Sequence, residues 1–151
     1  MFAAADYKKI FLLEFSCKED VYEKIDVYKK RFGLPLVPFE TDIILQLKQE
    51  LNGYFSRNLS QFNIPIFLQG TMFQNKVWDE LLKIPYGSTA SYGDIAKAIG
   101  KPKAVRAVAL ANKANPIAIL VPCHRVIHTN GNLGGYVAGK DRKIALLKIE
   151  N

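Results

Sequence analysis

Pro122-Cys123-His124-Arg125-Val126 sets a thiol beside an imidazole and a guanidinium, directly after the apolar run 117–121. The reactive form of cysteine is the thiolate, and an adjacent base or positive charge favours it, so the combination suits nucleophilic attack on an electrophilic carbon. A buried cysteine is also an ordinary core residue, and neighbours on an extended strand point to opposite faces. The residues alone therefore leave Cys123 open between a nucleophile and a packing group. Disulfide and zinc chemistry fit poorly. Cys17 is the only other cysteine and His128 the only other histidine, too few for a disulfide framework or a structural zinc site. No metal and no cofactor is expected.

Charge supplies a second candidate function. The 151 residues carry 21 Lys and Arg against 14 Asp and Glu, a formal charge of +7. Nine basic and nine acidic residues precede position 70, whereas twelve and five follow it. Lys97, Lys101, Lys103, Arg106, Lys113 and Arg125 occur with no carboxylate among them. Such a local field attracts a polyanion such as nucleic acid, although lysine-rich surfaces also serve solubility alone. With 49 % apolar residues the chain can bury a core. It has no run of the roughly 18 apolar residues that a membrane span needs, and its first residues lack the layout of a signal peptide. A cytoplasmic protein is expected, nuclear in a eukaryote, with no membrane partner.

Periodicity outlines the elements that must position these groups. Residues 10–15 form a β-prone run. Val21, Ile25, Tyr28 and Phe32 predict a helix ended by Gly33 and Pro35, and Ile44, Leu47 and Leu51 predict a second from about Thr41, broken at Gly53. Residues 64–68 read as an extended connector, with a domain boundary between about Asn63 and Thr71. Thr71 and Gln74 then fit a capping box, ahead of a helix that buries Phe73, Val77 and Leu81 and stops at Pro85 and Gly87. Ser91 and Asp94 open a short helix through Ile95 and Ile99. Gly100 closes it and Pro102 opens the next, over 102–114. The pair reads as a helix-turn-helix. On its second helix Val105, Val108 and Asn112 share one face, and Lys103, Arg106 and Lys113 the opposite one. Five alanines between them would let the backbone approach a DNA groove, and an ordinary alanine-rich surface helix fits the same pattern. Asn115 and Pro116 end it, 117–121 reads as a buried strand, and a last helix carries Ile144 and Leu147 on one face.

Residues 122–126 match the Pro-Cys-His-Arg-Val signature of the O6-alkylguanine-DNA alkyltransferases, and the chain from about Phe73 to Glu150 resembles that family. Ser91 with Tyr92, the run 102–108, Asn115 with Pro116, the turn 134–136, and Glu150 after Leu146 and Leu147 fall at the family's spacing. The resemblance implies an α/β (α+β) fold in which a small N-terminal α/β domain, 1–67, packs on a mostly helical C-terminal domain, 68–151, that carries the helix-turn-helix. It implies DNA repair by direct, irreversible, single-turnover transfer of the alkyl group from O6-alkylguanine to Cys123, after the damaged nucleotide is flipped out. Alkylated thymine is a further candidate substrate. Such a protein is a methylated-DNA-[protein]-cysteine S-methyltransferase that acts once.

Residue roles follow from the same resemblance. Cys123 accepts the alkyl group, His124 takes the thiol proton through a water, and Glu150 orients His124. Tyr92 supplies a hydroxyl to the base, and Asn115 ties the helix-turn-helix to the cysteine strand. Arg106 takes the place of the flipped base from the minor groove, Ala107 lies beside it on the DNA-facing helix, and Lys101, Lys103 and Lys113 meet phosphate. Gly135 and Tyr136 wall the base pocket, and backbone groups of Val121 and Val137 meet the base edge. Arg125 is structural. The implied partner is double-stranded DNA carrying alkylated guanine, bound by a monomer. Ala118 stands where some members have proline, and Val137 and Ala138 replace a Ser-Gly pair, changes that bear on pocket width. The zinc-binding Cys/His set of some members is missing from the first part. The competing readings are an alkyltransferase-like protein, which lacks the acceptor thiol that Cys123 would supply, a general DNA-binding module with an inert cysteine, and a cysteine hydrolase built on Cys123 and His124.

Overall fold

The computed structural model describes residues 1–16, 21–33 and 37–151; the expectations for Cys17 and Pro35 fall outside the described residues. Strands β1 (Phe2–Ala5) and β2 (Ile10–Glu14) pair antiparallel, with Ala3 opposite Leu13 and Ala4 opposite Leu12. The Oδ1 atom of Asp6 closes the hairpin by accepting the backbone N–H of Lys8 and of Lys9, each at 2.7 Å. β1 has no signal of its own, because its alanines have low strand propensity; pairing with the apolar β2 makes it a strand. The other edge of β2 is covered as well. Ile10 bridges Ile66 in the connector, and Leu13 bridges Ile117. The Leu13 N–H donates to Pro116 O at 2.9 Å and the Ala118 N–H donates to Leu13 O at 2.7 Å. An N-terminal strand thus holds the segment that leads to Cys123.

Helix α1 (Val21–Phe32) follows the expected bounds, and Gly33 after it has φ +64°. Helix α2 spans Asp42–Phe55 and runs through Gly53 rather than breaking there. The missing side chain serves packing at that point, since a Cβ would lie 3.1 Å from Leu59 Cβ. Ile43, Leu47 and Tyr54 are buried along α2, with Ile44 and Leu51 packed beside them.

Helix α3 (Met72–Leu81) has both bonds of its capping box: Gln74 N–H to Thr71 Oγ1 at 3.2 Å and Thr71 N–H to Gln74 Oε1 at 2.9 Å. Val77, Trp78 and Leu81 are buried on it. A two-residue strand β3 (Ala90–Ser91) leads into α4 (Tyr92–Ala98), capped by the Ser91–Asp94 box as the sequence predicts. Helix α5 (Val105–Lys113) starts later than expected. The Ala104 N–H donates to Lys101 O at 2.8 Å, closing a turn with Pro102 at its second position, where the fixed φ of proline fits best. The core face of α5 is Val108, Ala111 and Asn112. Val105, expected on that face, is 39 % exposed at the open end of the helix. The Trp78 Nε1–H donates to Ala111 O at 2.9 Å and clamps α3 to α5.

Residues 117–121 are a tight turn and not the expected strand. The Val121 N–H returns to Ile117 O at 3.0 Å, the Leu120 N–H donates to Ala118 O at 2.9 Å, and Ile119 has φ +72°. Only the first residues of the run bond to Leu13; beyond them the N–H groups of Leu120 and Val121 return to Ala118 and Ile117, so the apolar residues bury by folding back. A β-branched residue at positive φ stores about 1–3 kcal/mol of strain, and Ile119 is held there by packing with Tyr54 and Leu146. A 3-10 turn over Cys123–Arg125, strand β4 (Val126–Ile127), parallel to β3, and helix α6 (Lys140–Glu150) complete the described chain.

One apolar cluster joins Ile10 and Leu13 with Leu47, Trp78, Val108 and Val121. Leu13→Ala, a fully buried truncation in this cluster, is expected to lower the unfolding free energy by about 2–5 kcal/mol. Urea unfolding followed by fluorescence of Trp78, the only tryptophan, checks whether damage in β2 is felt at α3.

Candidate active site and nucleic-acid interface

Cys123 opens the 3-10 turn, so the alternation expected of a strand does not separate it from His124; both side chains are buried, at 4 % and 0 % exposure. The face of α6 that docks is Lys143, Leu146 and Glu150, with Ile144 and Leu147 only half-buried beside it. Two charged side chains occupy that face because each has polar partners there. The Lys143 Nζ donates to Val126 O at 2.6 Å and also to Leu133 O.

Glu150 collects hydrogen bonds from three parts of the chain, one of them the Gly87 N–H, which donates to Oε2 at 3.4 Å. Its Oε1 accepts His124 Nε2–H at 2.7 Å, Tyr54 O–H at 2.7 Å and Arg125 Nη2–H at 3.0 Å, while its Oε2 accepts Arg125 Nε–H at 2.8 Å. Arg125 also donates from Nη1 to Ile84 O at 2.6 Å, in keeping with a structural part. Gly87, at φ +72°, passes so close that a Cβ would lie 2.9 Å from the Glu150 carbonyl oxygen. Burial would raise the Glu150 carboxyl, but the donors from His124, Arg125 and Tyr54 outweigh it and hold the group down to about 2. Burial pushes His124 below the usual histidine range. A neutral imidazole beside a carboxylate carries its proton on Nε2, which leaves Nδ1 as the acceptor. Nδ1 is buried and makes no hydrogen bond within the described residues.

Burial pushes Cys123 up, while the Asn115 amide, the Lys143 ammonium and the Tyr136 hydroxyl pull it down less strongly. Asn115 Nδ2 donates to Val121 O at 2.9 Å and its Oδ1 accepts Ile117 N–H at 3.0 Å, so it pins the turn ahead of Cys123 to the end of α5. Asn112 Nδ2 donates to Cys123 O at 3.3 Å. The phenols of Tyr92 and Tyr136 are both raised, by burial first and then by the neighbouring Cys123, and stay protonated as donors. Tyr92 packs its ring 5.3 Å from that of His128. Gly134, at φ +69°, passes 3.4 Å from the Tyr92 hydroxyl counted from where its Cβ would be. Gly135 and Val137 are exposed, while Val121 is fully buried with its carbonyl taken by Asn115 and the Cys123 N–H. A cleft of about 300 Å³ is lined by Phe15, Lys113, Asn115, Ala118, Val137 and Ala138. A larger apolar groove beside β1 and α2 contains no residue of the expected site.

Lys101, Lys103, Arg106, Ala107 and Lys113 are all exposed on or just before α5. Leu110 lies among them at 69 % exposure, an apolar residue on the outward face that the sequence reading did not single out. Tyr54 and Lys143 also escaped it. A tyrosine in an apolar stripe reads as core, and a lysine reads as surface; the signal available for Lys143 was its spacing, three before Leu146 and seven before Glu150.

Residues 72–151 match the family described as the 6-O-methylguanine DNA methyltransferase, DNA binding domain. The chain is 54 % identical over 123 residues to the methylated-DNA–protein-cysteine methyltransferase of Methanosarcina acetivorans, covering 81 % of this chain and 79 % of that one. It is 57 % identical over 101 residues to that of Mycobacterium tuberculosis, covering 67 % of this chain and 61 % of the relative. Among solved structures it is similar to the O6-methylguanine methyltransferase of M. tuberculosis, with TM-score 0.72 at 43 % identity over 95 % of this chain and 79 % of that one. It is also similar to M. tuberculosis OGT in complex with DNA, with TM-score 0.70 at 54 % identity over 71 % of this chain and 66 % of that one.

The depressed Glu150 carboxyl has a pH signature. Its folded value lies below the ordinary 4.5, so the stability it contributes is complete above about pH 4.5 and is lost as pH falls toward about 2. Glu150→Gln is expected to be less stable than the parent at neutral pH and to lose that acid dependence. Denaturant unfolding of the two proteins then converges below pH 4.5.

Proposed function

The chain belongs to the 6-O-methylguanine DNA methyltransferase family, and from that premise we propose that it repairs DNA by moving the alkyl group of O6-alkylguanine onto Cys123, once per molecule. The observation that carries the reading is the buried hydrogen bond from His124 to Glu150, set directly after the buried Cys123 in the chain. A raised thiol is a poor nucleophile on its own, and His124 offers an unpaired Nδ1 to take its proton through a water. Glu150 fixes the tautomer that makes Nδ1 the acceptor. The sulfur attacks the alkyl carbon, an S–C bond forms, and the O6–C bond breaks with its electron pair left on guanine. Guanine gains one proton as the thiol loses one, and the Tyr92 phenol, which stays protonated, serves as the donor. The thioether has no hydrolytic exit, so the molecule is spent.

The target carbon lies inside a duplex, and reaching it requires the nucleotide to be rotated out. Exposed Arg106, with Ala107 beside it, suits insertion from the minor groove into the vacated stack, and Lys101, Lys103 and Lys113 suit phosphate. Tyr136 and Gly135 belong to the wall of the base pocket, with the backbone of Val121 and Val137 near the base edge. The Ala118, Val137 and Ala138 departures all line the 300 Å³ cleft beside Asn115. The reading includes a division near residues 67 and 68, supported by the family match beginning at residue 72, a monomer bound to alkylated duplex DNA, and a workplace where the genome lies, cytoplasmic or nuclear. Among the described residues no helix is long and apolar enough to cross a membrane.

Intact-protein mass after mixing with duplex DNA containing O6-methylguanine tests the reaction. The expected result is a stoichiometric gain of about one methylene on Cys123 without turnover; Cys123→Ala binds the same DNA and gains nothing. An unchanged mass overturns the proposal. Arg106→Ala is expected to slow repair of duplex at least tenfold while slowing reaction with the free base much less. Equal losses on both substrates would exclude the flipping role.

A further inference from the structure

Glu150 serves His124 from the last helix, yet one of its strongest partners lies 96 residues earlier, on α2. The Tyr54 side chain is fully buried among Ile119 of the cysteine turn and Leu146 of α6, with Phe62 and Tyr86 against its ring. Its only polar atom beyond the backbone meets Oε1 of Glu150, the same oxygen that accepts His124, and each contact is 2.7 Å. Packing alone would be met by phenylalanine. A hydroxyl in this place donates to a carboxylate and takes up part of its charge.

We propose that Tyr54 is a positioning residue of the transfer reaction: its hydroxyl shares Oε1 of Glu150 with His124 and so limits how strongly that carboxylate holds the imidazole in its charged form. The inference rests on the alkyl-transfer reading above. Without the hydroxyl, Glu150 turns more of its charge on His124, the imidazolium is stabilised, and less of the neutral base is present at a given pH. The other groups that face this pair are Arg125 in the same turn, Lys143 from α6 and Tyr86, which packs on both Tyr54 and Arg125. None of them changes in a Tyr54→Phe protein. The N-terminal part thereby enters the chemistry by one atom, as well as bracing the site.

The test is the single-turnover rate of transfer from duplex DNA containing O6-methylguanine, followed from about pH 5 to about pH 9 for the parent and Tyr54→Phe. The acid limb of the variant is expected to move upward by roughly half a pH unit, which makes it about threefold slower below the limb and close to the parent above it. A limb that stays in place overturns the inference, whatever the overall rate. Arg57→Ala provides the control for docking. Arg57 Nη2 donates to Lys148 O at 2.7 Å and ties the end of α2 to α6 without touching the carboxylate. Its profile is expected to keep the parent's limb; a shift equal to that of Tyr54→Phe would assign the effect to helix docking and also overturn the inference. Failure of the parent itself to take up a methyl group defeats the transfer reading, and is distinguished from failure of this one by the mass of Cys123.

Discussion

A single buried carboxylate organises this molecule. Taking a charge out of water costs several kcal/mol unless donors replace the solvent, and Glu150 is 5 % exposed. The donors come from α2, from the 3-10 turn and from the turn at Gly87, so three segments must meet before the charge is satisfied. The geometry that stabilises the carboxylate is the same geometry that gives His124 its tautomer. The satisfaction of the charge and the tautomer of His124 share one set of bonds here, and a change that loosens one disturbs the other.

The exposed basic face of α5 is arranged on different terms. α5 turns Val108, Ala111 and Asn112 inward, and Trp78 fixes its carbonyl edge, so the helix is rigid on its core side. Outward it offers long cations and short alanines, with Leu110 between them. Flexible charges suit a backbone of any sequence, while the small residues keep the helix axis close to it. Asn115 links this face to the buried thiol by pinning the turn at Val121.

Much of this was legible in the residues, for reasons that differ from place to place. The capping boxes at Thr71 and Ser91 are local devices with fixed spacing, and both helices start where those devices put them. The start of α5 was misread because Pro102 serves equally well in a helical first turn and in the β-turn it occupies. Residues 117–121 fold as a turn where the residues suggest a strand, because apolar runs say only that a segment is buried; the fold-back depends on positive φ at Ile119, which its packing with Tyr54 and Leu146 enforces. Strand β1 was invisible because its reason for existing lies in β2. In the site, Cys123, His124 and Glu150 could be named from their motif. Tyr54 and Lys143 could not, since a polar atom inside an apolar stripe and a cation on a docking face are explained only by partners far away in sequence. Ile144 and Leu147 were the obvious docking residues by hydropathy, and the helix instead turns its lysine and glutamate inward.

The bond between Tyr54 and Glu150 closes a loop of 96 residues, and contacts that distant in sequence form only after much of the intervening chain has lost its freedom. When either part comes undone, the bonds that join Tyr54, Glu150 and His124 are incomplete. The state of the imidazole is thus conditional on integrity. Unfolding also removes the burial that raises the Cys123 thiol, so an undone copy holds an ordinary exposed thiol, and the intact copy a shielded one followed in the chain by a fixed imidazole.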